Sequence, residues 1–102
     1  MGGAMNIEHM REFIYLAKTL SFSATAKQFY ISQSVLSKRI ASMESELGVP
    51  LFTRDSHHVR LTKSGRAVLE EASLLVGSYE HALERVRAIN QSYETVVRIG
   101  YM

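Results

Sequence analysis

The sequence predicts a mainly α fold made of three short helices, a small β-hairpin and one long final helix. Three observations carry that expectation. Apolar residues recur at helical spacing between capping serines, Val59 and Leu61 alternate around Arg60 just past an Asp55-Ser56 turn signal, and beyond Thr62 an apolar seam repeats at steps of four and three. The chain has 102 residues, 46% hydrophobic and 22% charged, enough for one domain with a compact core. It contains no cysteine, which excludes disulfides, thiolate catalysis, iron–sulfur clusters and cysteine-rich zinc sites. The longest apolar run, Phe13 to Ala17, is five residues and far below a bilayer span. Met1 to Met5 lacks a signal-peptide pattern, so the expected location is cytoplasmic. Residues 1–4 are read as an extraneous or disordered leader ahead of a natural start at Met5.

Asn6 is placed to cap the first helix, with Glu8 in the first turn where the helix dipole favours an anion. Met10, Phe13, Ile14 and Ala17 form its apolar stripe. Ser23 is the expected cap of a second helix from Ala24 to about Tyr30, burying Ala26 and Phe29. After a turn at Tyr30-Ile31-Ser32, Ser32 caps a third helix, Gln33 to Leu47, which Gly48 ends in the left-handed position, with Pro50 beyond. Leu36, Ile40, Met43 and Leu47 are its buried stripe. The opposite stripe, Ser34, Ser37, Lys38 and Ala41 with Gln33 at the start, is small and polar, and no carboxylate interrupts it before Glu44. Such a face approaches a groove closely and supplies the donors and acceptors that base edges and phosphates need. For this helix alone, a solvated surface explains the pattern equally well.

Leu51-Phe52 opens a hairpin whose arms and tip carry Arg54, His57, His58 and Arg60. Two helices joined by a short turn and followed by a basic hairpin is the layout of a winged helix-turn-helix, with the later helix in the major groove and the wing on the backbone or minor groove. Thr62 is the expected cap of a final helix running from about Lys63 to Gln91, about 43 Å long and too long to lie on so small a domain. Val68, Ala72, Leu75, Tyr79, Ala82, Val86 and Ile89 form its seam, flanked by Leu69, Val76 and Leu83, and a 3.5-residue period sustained for three heptads calls for a partner helix. A second copy is the simplest supply, because the chain's own first helix is less than half as long. Glu94 to Met102 reads as a lone β-strand, the start of a further domain. The expected division is therefore a winged helix-turn-helix over 5–62, a linker and dimerisation helix over 63–91, and the opening of an effector-binding domain over 92–102.

Through Arg66 there are nine Lys/Arg against five Asp/Glu, and beyond it three against five. The basic first half suits a polyanion, although on charge alone an ordinary solvated surface is the simpler explanation.

Ser32-Gln33-Ser34-Val35-Leu36-Ser37, Glu44-Ser45-Glu46-Leu47-Gly48-Val49-Pro50-Leu51-Phe52-Thr53-Arg54 and Val59-Arg60-Leu61-Thr62-Lys63-Ser64-Gly65 strongly resemble the LysR-type bacterial transcriptional regulators. Ser21-Phe22-Ser23-Ala24-Thr25-Ala26 and Val97-Arg98-Ile99-Gly100 fit the same resemblance, which covers about Met5 to Gly100. It implies a domain that binds double-stranded DNA at interrupted palindromes near promoters, as a homodimer through the long helix and as a tetramer in the intact protein. By the same resemblance Gln33, Ser34, Ser37 and Lys38 face the major groove; Ser23, Thr25, Ser32, Arg39 and Arg54 hold phosphates; His57, His58 and Arg60 form the wing. Lys38 stands where the family more often has arginine, which replaces a bidentate guanine contact with a point charge. The two histidines stand where arginine or lysine is common, which implies a weaker, pH-dependent grip. No cofactor is implied here, while a small-molecule inducer is implied for the effector domain.

An enzyme finds no support, since no histidine is spaced to serve a serine and a carboxylate, and neither a glycine-rich phosphate loop nor H-E-x-x-H occurs. A metal pair at His57-His58 is disfavoured because neighbours in a strand point to opposite faces. A coiled-coil protein-interaction module accounts for the seam equally well, but not for the acid-free helix face or the basic wing.

Overall fold

A computed structural model describes residues 5–100, with side chains as far as Gln91. Residues 1–4 and Tyr101-Met102, which the sequence assigned to a leader and a further domain, lie outside the described residues. The order of elements is α1 (Ile7–Thr19), α2 (Phe22–Gln28), α3 (Gln33–Leu47), β1 (Phe52–Arg54), β2 (Val59–Leu61) and α4 (Lys63–Gly100). The two strands pair antiparallel with Phe52 opposite Leu61, Thr53 opposite Arg60 and Arg54 opposite Val59. Among the described residues no helix is long and apolar enough to cross a membrane.

α1 begins where expected: the Asn6 side chain accepts from the His9 amide at 2.8 Å, quenching one free donor of the first turn. Its buried face is wider than the predicted stripe. Met10, Phe13 and Leu16 are in the core, whereas Ile14 and Ala17 are half-buried, because α1 packs against α2 and α3 on one side and α4 on the other.

α2 starts earlier than the sequence reading placed it. The cap is Ser21, whose hydroxyl accepts from the Ala24 amide at 3.0 Å, and Ser23 lies inside the first turn. This start makes Phe22 helical and sets its ring 6.4 Å from that of Phe52, an edge-on contact that a cap at Ser23 would have placed outside the helix. Ala26 is buried as expected, while Phe29 is half-buried with its ring edge-on to Tyr15. The helix closes with the Ile31 amide on the Ala26 carbonyl and the Tyr30 amide on Lys27, around Tyr30 at φ 58°. That is the left-handed closing position where glycine is usual, held here by an exposed tyrosine.

α3 has the expected bounds and both expected caps: Ser32 accepts from the Val35 amide at 3.1 Å, and Gly48 sits at φ 76°. Leu36, Ile40 and Met43 are buried, but Leu47 is not. The core ends one turn before it, and Leu47 instead lines a shallow groove of about 240 Å³ with Met5, Ala67, Val68, Glu71, Ala72 and Leu75.

The hairpin is fastened to the core at both ends. Phe52 packs edge-on to Phe13 at 5.5 Å, and the Glu44 carboxylate accepts from the amides of Leu51 and Phe52 at 2.8 and 3.2 Å, tying the last turn of α3 to the first strand. Thr62 caps α4 by accepting from the Gly65 amide at 2.9 Å, while its own hydroxyl donates to the Pro50 carbonyl at 2.7 Å.

α4 does not stop at Gln91. It continues through Gly100, and the strand expected from Glu94 does not form. A lone strand leaves its amides and carbonyls without partners, whereas extending a formed helix satisfies them within the segment. The helix accounts for most of the 67 Å long axis of the molecule, against 26 and 25 Å across.

Candidate nucleic-acid interface

The exposed side of α3 is built from its buried side. With Leu36, Ile40 and Met43 anchored in the core, the helical period turns Gln33, Ser34, Lys38 and Ala41 to solvent, with Ser37 half-buried between them. The first carboxylate along this helix, Glu44, is directed to β1. Ser32 is exposed at the helix start, and although its oxygen accepts from Val35, a hydroxyl in that role keeps its own hydrogen to donate.

The wing is joined to α2 by a cation–π contact, with the Arg54 guanidinium 4.0 Å above the Phe22 ring. Phe22 precedes the exposed Ser23 in the first turn of α2, so the contact ties the wing to the helix that carries another predicted phosphate ligand. Arg60 is exposed opposite Thr53.

His57 and His58 lie in the turn between the strands, not in a strand, because Asp55 organises the tip. Its carboxylate accepts from the backbone amides of His57 at 3.0 Å and His58 at 2.7 Å, and those two amides hold its carboxyl below the ordinary range. His58 Nδ1 is 3.4 Å from the same carboxylate, and the two imidazoles are 6.4 Å apart, edge to face.

Two predicted phosphate ligands are occupied elsewhere. Thr25 is fully buried, with its hydroxyl 3.2 Å from that of Thr19, so it joins α2 to the end of α1 and offers nothing to a phosphate. Arg39 pairs through Nη1 with Oε2 of Glu12, a carboxylate that is 1% exposed. Burial pushes the Glu12 carboxyl above its ordinary range, opposed by the charge of Arg39 and then of His9. Sequence reasoning missed Glu12 because an acid two residues from Met10 and one from Phe13 breaks the apolar pattern that marks a buried face. Asp55 was legible as a turn former but not as the residue that fixes both histidine amides.

The proposed dimer seam divides in two. Ala72 is 2% exposed and Val68 packs against the core, so both serve this chain's own fold, together with Val76 and Leu69. Leu75, Tyr79, Val86 and Ile89 are 43–64% exposed, and Ala82 is exposed among them. The seam therefore becomes available at Leu75. Arg11 of α1 pairs with Glu80 at 3.2 Å, a surface link between α1 and α4 beyond their apolar contact.

Comparison with known proteins gives a consistent result. Residues 7–66 match the model of the bacterial regulatory helix-turn-helix proteins of the lysR family. The chain is 34% identical over 98 residues to a probable cat1 operon transcriptional activator of Acinetobacter lwoffii, covering 96% of this chain and 32% of that protein. It is 35% identical over 96 residues to the regulator BudR of Klebsiella aerogenes, covering 94% of this chain and 67% of that protein. Among solved structures, the BenM DNA-binding domain in complex with catB site 1 DNA superposes with a TM-score of 0.78 at 29% identity, covering 83% of this chain and 94% of that one. The chain spans about a third of the length of the first curated relatives.

Proposed function

The chain belongs to the lysR family of bacterial regulatory helix-turn-helix proteins, and from that premise we propose how it engages double-stranded DNA. The exposed side of α3 enters the major groove, with Gln33, Ser34, Ser37 and Lys38 towards the base edges. Ser23, Ser32 and Arg54 hold the flanking phosphates, and the wing, with His57, His58 and Arg60, lies on the adjacent backbone or minor groove. Two copies join through α4 from Leu75 onward and set two α3 helices on an interrupted palindrome near a promoter. In the intact regulator, which works in the cytoplasm, a small-molecule inducer acts on a further domain and pairs of dimers form a tetramer.

The observation that supports this reading best is the exposed side of α3, where Gln33, Ser34 and Lys38 face solvent with no carboxylate before Glu44, on a domain whose wing is tied to α2 by the Arg54–Phe22 contact. The test is retention of duplex DNA as a function of salt. The expected result is a linear fall of log affinity with log salt, with a slope of about 0.9 per phosphate engaged. Retention that ignores salt, or none on any duplex at low salt, would instead favour a protein-interaction module.

A further inference from the structure

Glu12 is an acid where the fold needs none. It stands on α1 next to Phe13 and one turn before Leu16, both core residues; it is 1% exposed, and one of its oxygens, Oε1, is buried without a hydrogen-bond partner. Its other oxygen holds Arg39, whose side chain is 31% exposed. A buried ion pair of this kind is no more stabilising than a well-packed apolar side chain in its place, and the unpartnered oxygen adds a further cost. What Glu12 visibly determines in the structure is the position of Arg39.

Arg39 follows Lys38 on the helix that carries the DNA-facing side chains. Without a carboxylate to hold it, a long, partly exposed guanidinium one position along α3 from Lys38 would be free to swing out as a bidentate phosphate ligand. Such a contact adds affinity for any sequence. We propose that Glu12 is a positioning residue that withholds Arg39 from the phosphate backbone, so that α3 engages one phosphate fewer than its cations allow and the chain binds random duplex more weakly. The proposal rests on the DNA-binding reading above.

The experiment compares salt dependence on random duplex for the wild type, Glu12→Met, Arg39→Gln and the double variant. Methionine keeps the unbranched length of glutamate and removes the acceptor. Glu12→Met is expected to bind random duplex about tenfold more tightly at low salt, the size of one charge-assisted contact. Its slope against log salt should steepen by about 0.9. The double variant should return to the wild-type slope, and Arg39→Gln alone should leave that slope unchanged. A purely structural role for Glu12 would move the melting temperature and not the slope. The proposal is overturned if folded Glu12→Met keeps the wild-type slope, or if Arg39→Gln alone flattens it by about 0.9, since Arg39 would then already hold a phosphate. Should Glu12→Met fail to fold, Glu12→Gln, which keeps the shape and removes the charge, takes its place: a steeper slope that the added Arg39→Gln abolishes is expected, and the wild-type slope overturns the proposal. A wild type that binds no duplex would overturn the underlying reading, and the proposal with it, before any variant is compared.

Discussion

Gln33 stands at the first position of α3, exposed, directly after the serine that caps the helix. A carboxamide carries a donor and an acceptor side by side and matches the paired donor and acceptor on the major-groove edge of adenine. Gln33→Ala is therefore expected to lose about 1 to 3 kcal/mol on the cognate site and little on random duplex. Equal losses on both, measured by titration at one salt concentration, would show that Gln33 positions the helix and does not read bases. The exposure of Gln33, Lys38 and Arg60 was legible in the sequence because exposed positions follow from the period of the buried ones. The burial of Thr25 and the pairing of Arg39 were not, because the partner of Thr25 lies six residues away and that of Arg39 twenty-seven.

At the scale of elements, α3 was legible to the residue because caps are local: Ser32 and Gly48 act on amides and carbonyls within one turn of themselves. α2 was misplaced by two residues because two serines could each cap it, and the decision lay in the distant ring of Phe52. The end of α4 was misread because β-branched residues after Glu94 suggest a strand only where another strand is present to pair with it. The joint between the wing and α4 shows the opposite case, a motif whose reason appears only in three dimensions. A Cβ on Gly65 would lie 2.2 Å from the Leu51 carbonyl oxygen and 2.6 Å from Leu61 Cδ1, so the start of α4 can rest on β2 and on the residue before β1 only if that side chain is missing. Gly65→Ala is expected to lower stability by about 1 to 3 kcal/mol, because the contact is with backbone that cannot rotate away. Thermal unfolding tests this, and an unchanged midpoint would mean that α4 does not dock on the hairpin.

The whole molecule is a small core from which one helix runs far beyond its own packing. Ala72 and Val76 complete that core, whereas Leu75, Tyr79, Val86 and Ile89 remain exposed in register along the projecting part. An apolar stripe of this length on a lone helix is costly in water and gains most from a second copy. Leu75→Asp places a charge at the point where the seam leaves the core, and is expected to give monomers in sedimentation and weaker binding to a two-half-site operator, since one half-site supplies only part of the energy. A variant that stays dimeric would place the interface elsewhere. The seam's period was legible in the sequence, but its division between core and partner was not, because both uses demand the same apolar spacing.

The claim on which all three scales depend is that the exposed side of α3 lies in a DNA groove. Because the chain has no cysteine, Ala41→Cys creates a single thiol at the far end of that surface, to which an iron chelate that cleaves DNA can be attached. Mapping of the cuts on operator DNA is predicted to show breaks confined to a few nucleotides within each half-site. Diffuse cutting like that of the free reagent, from a protein that still retains the duplex, would contradict it.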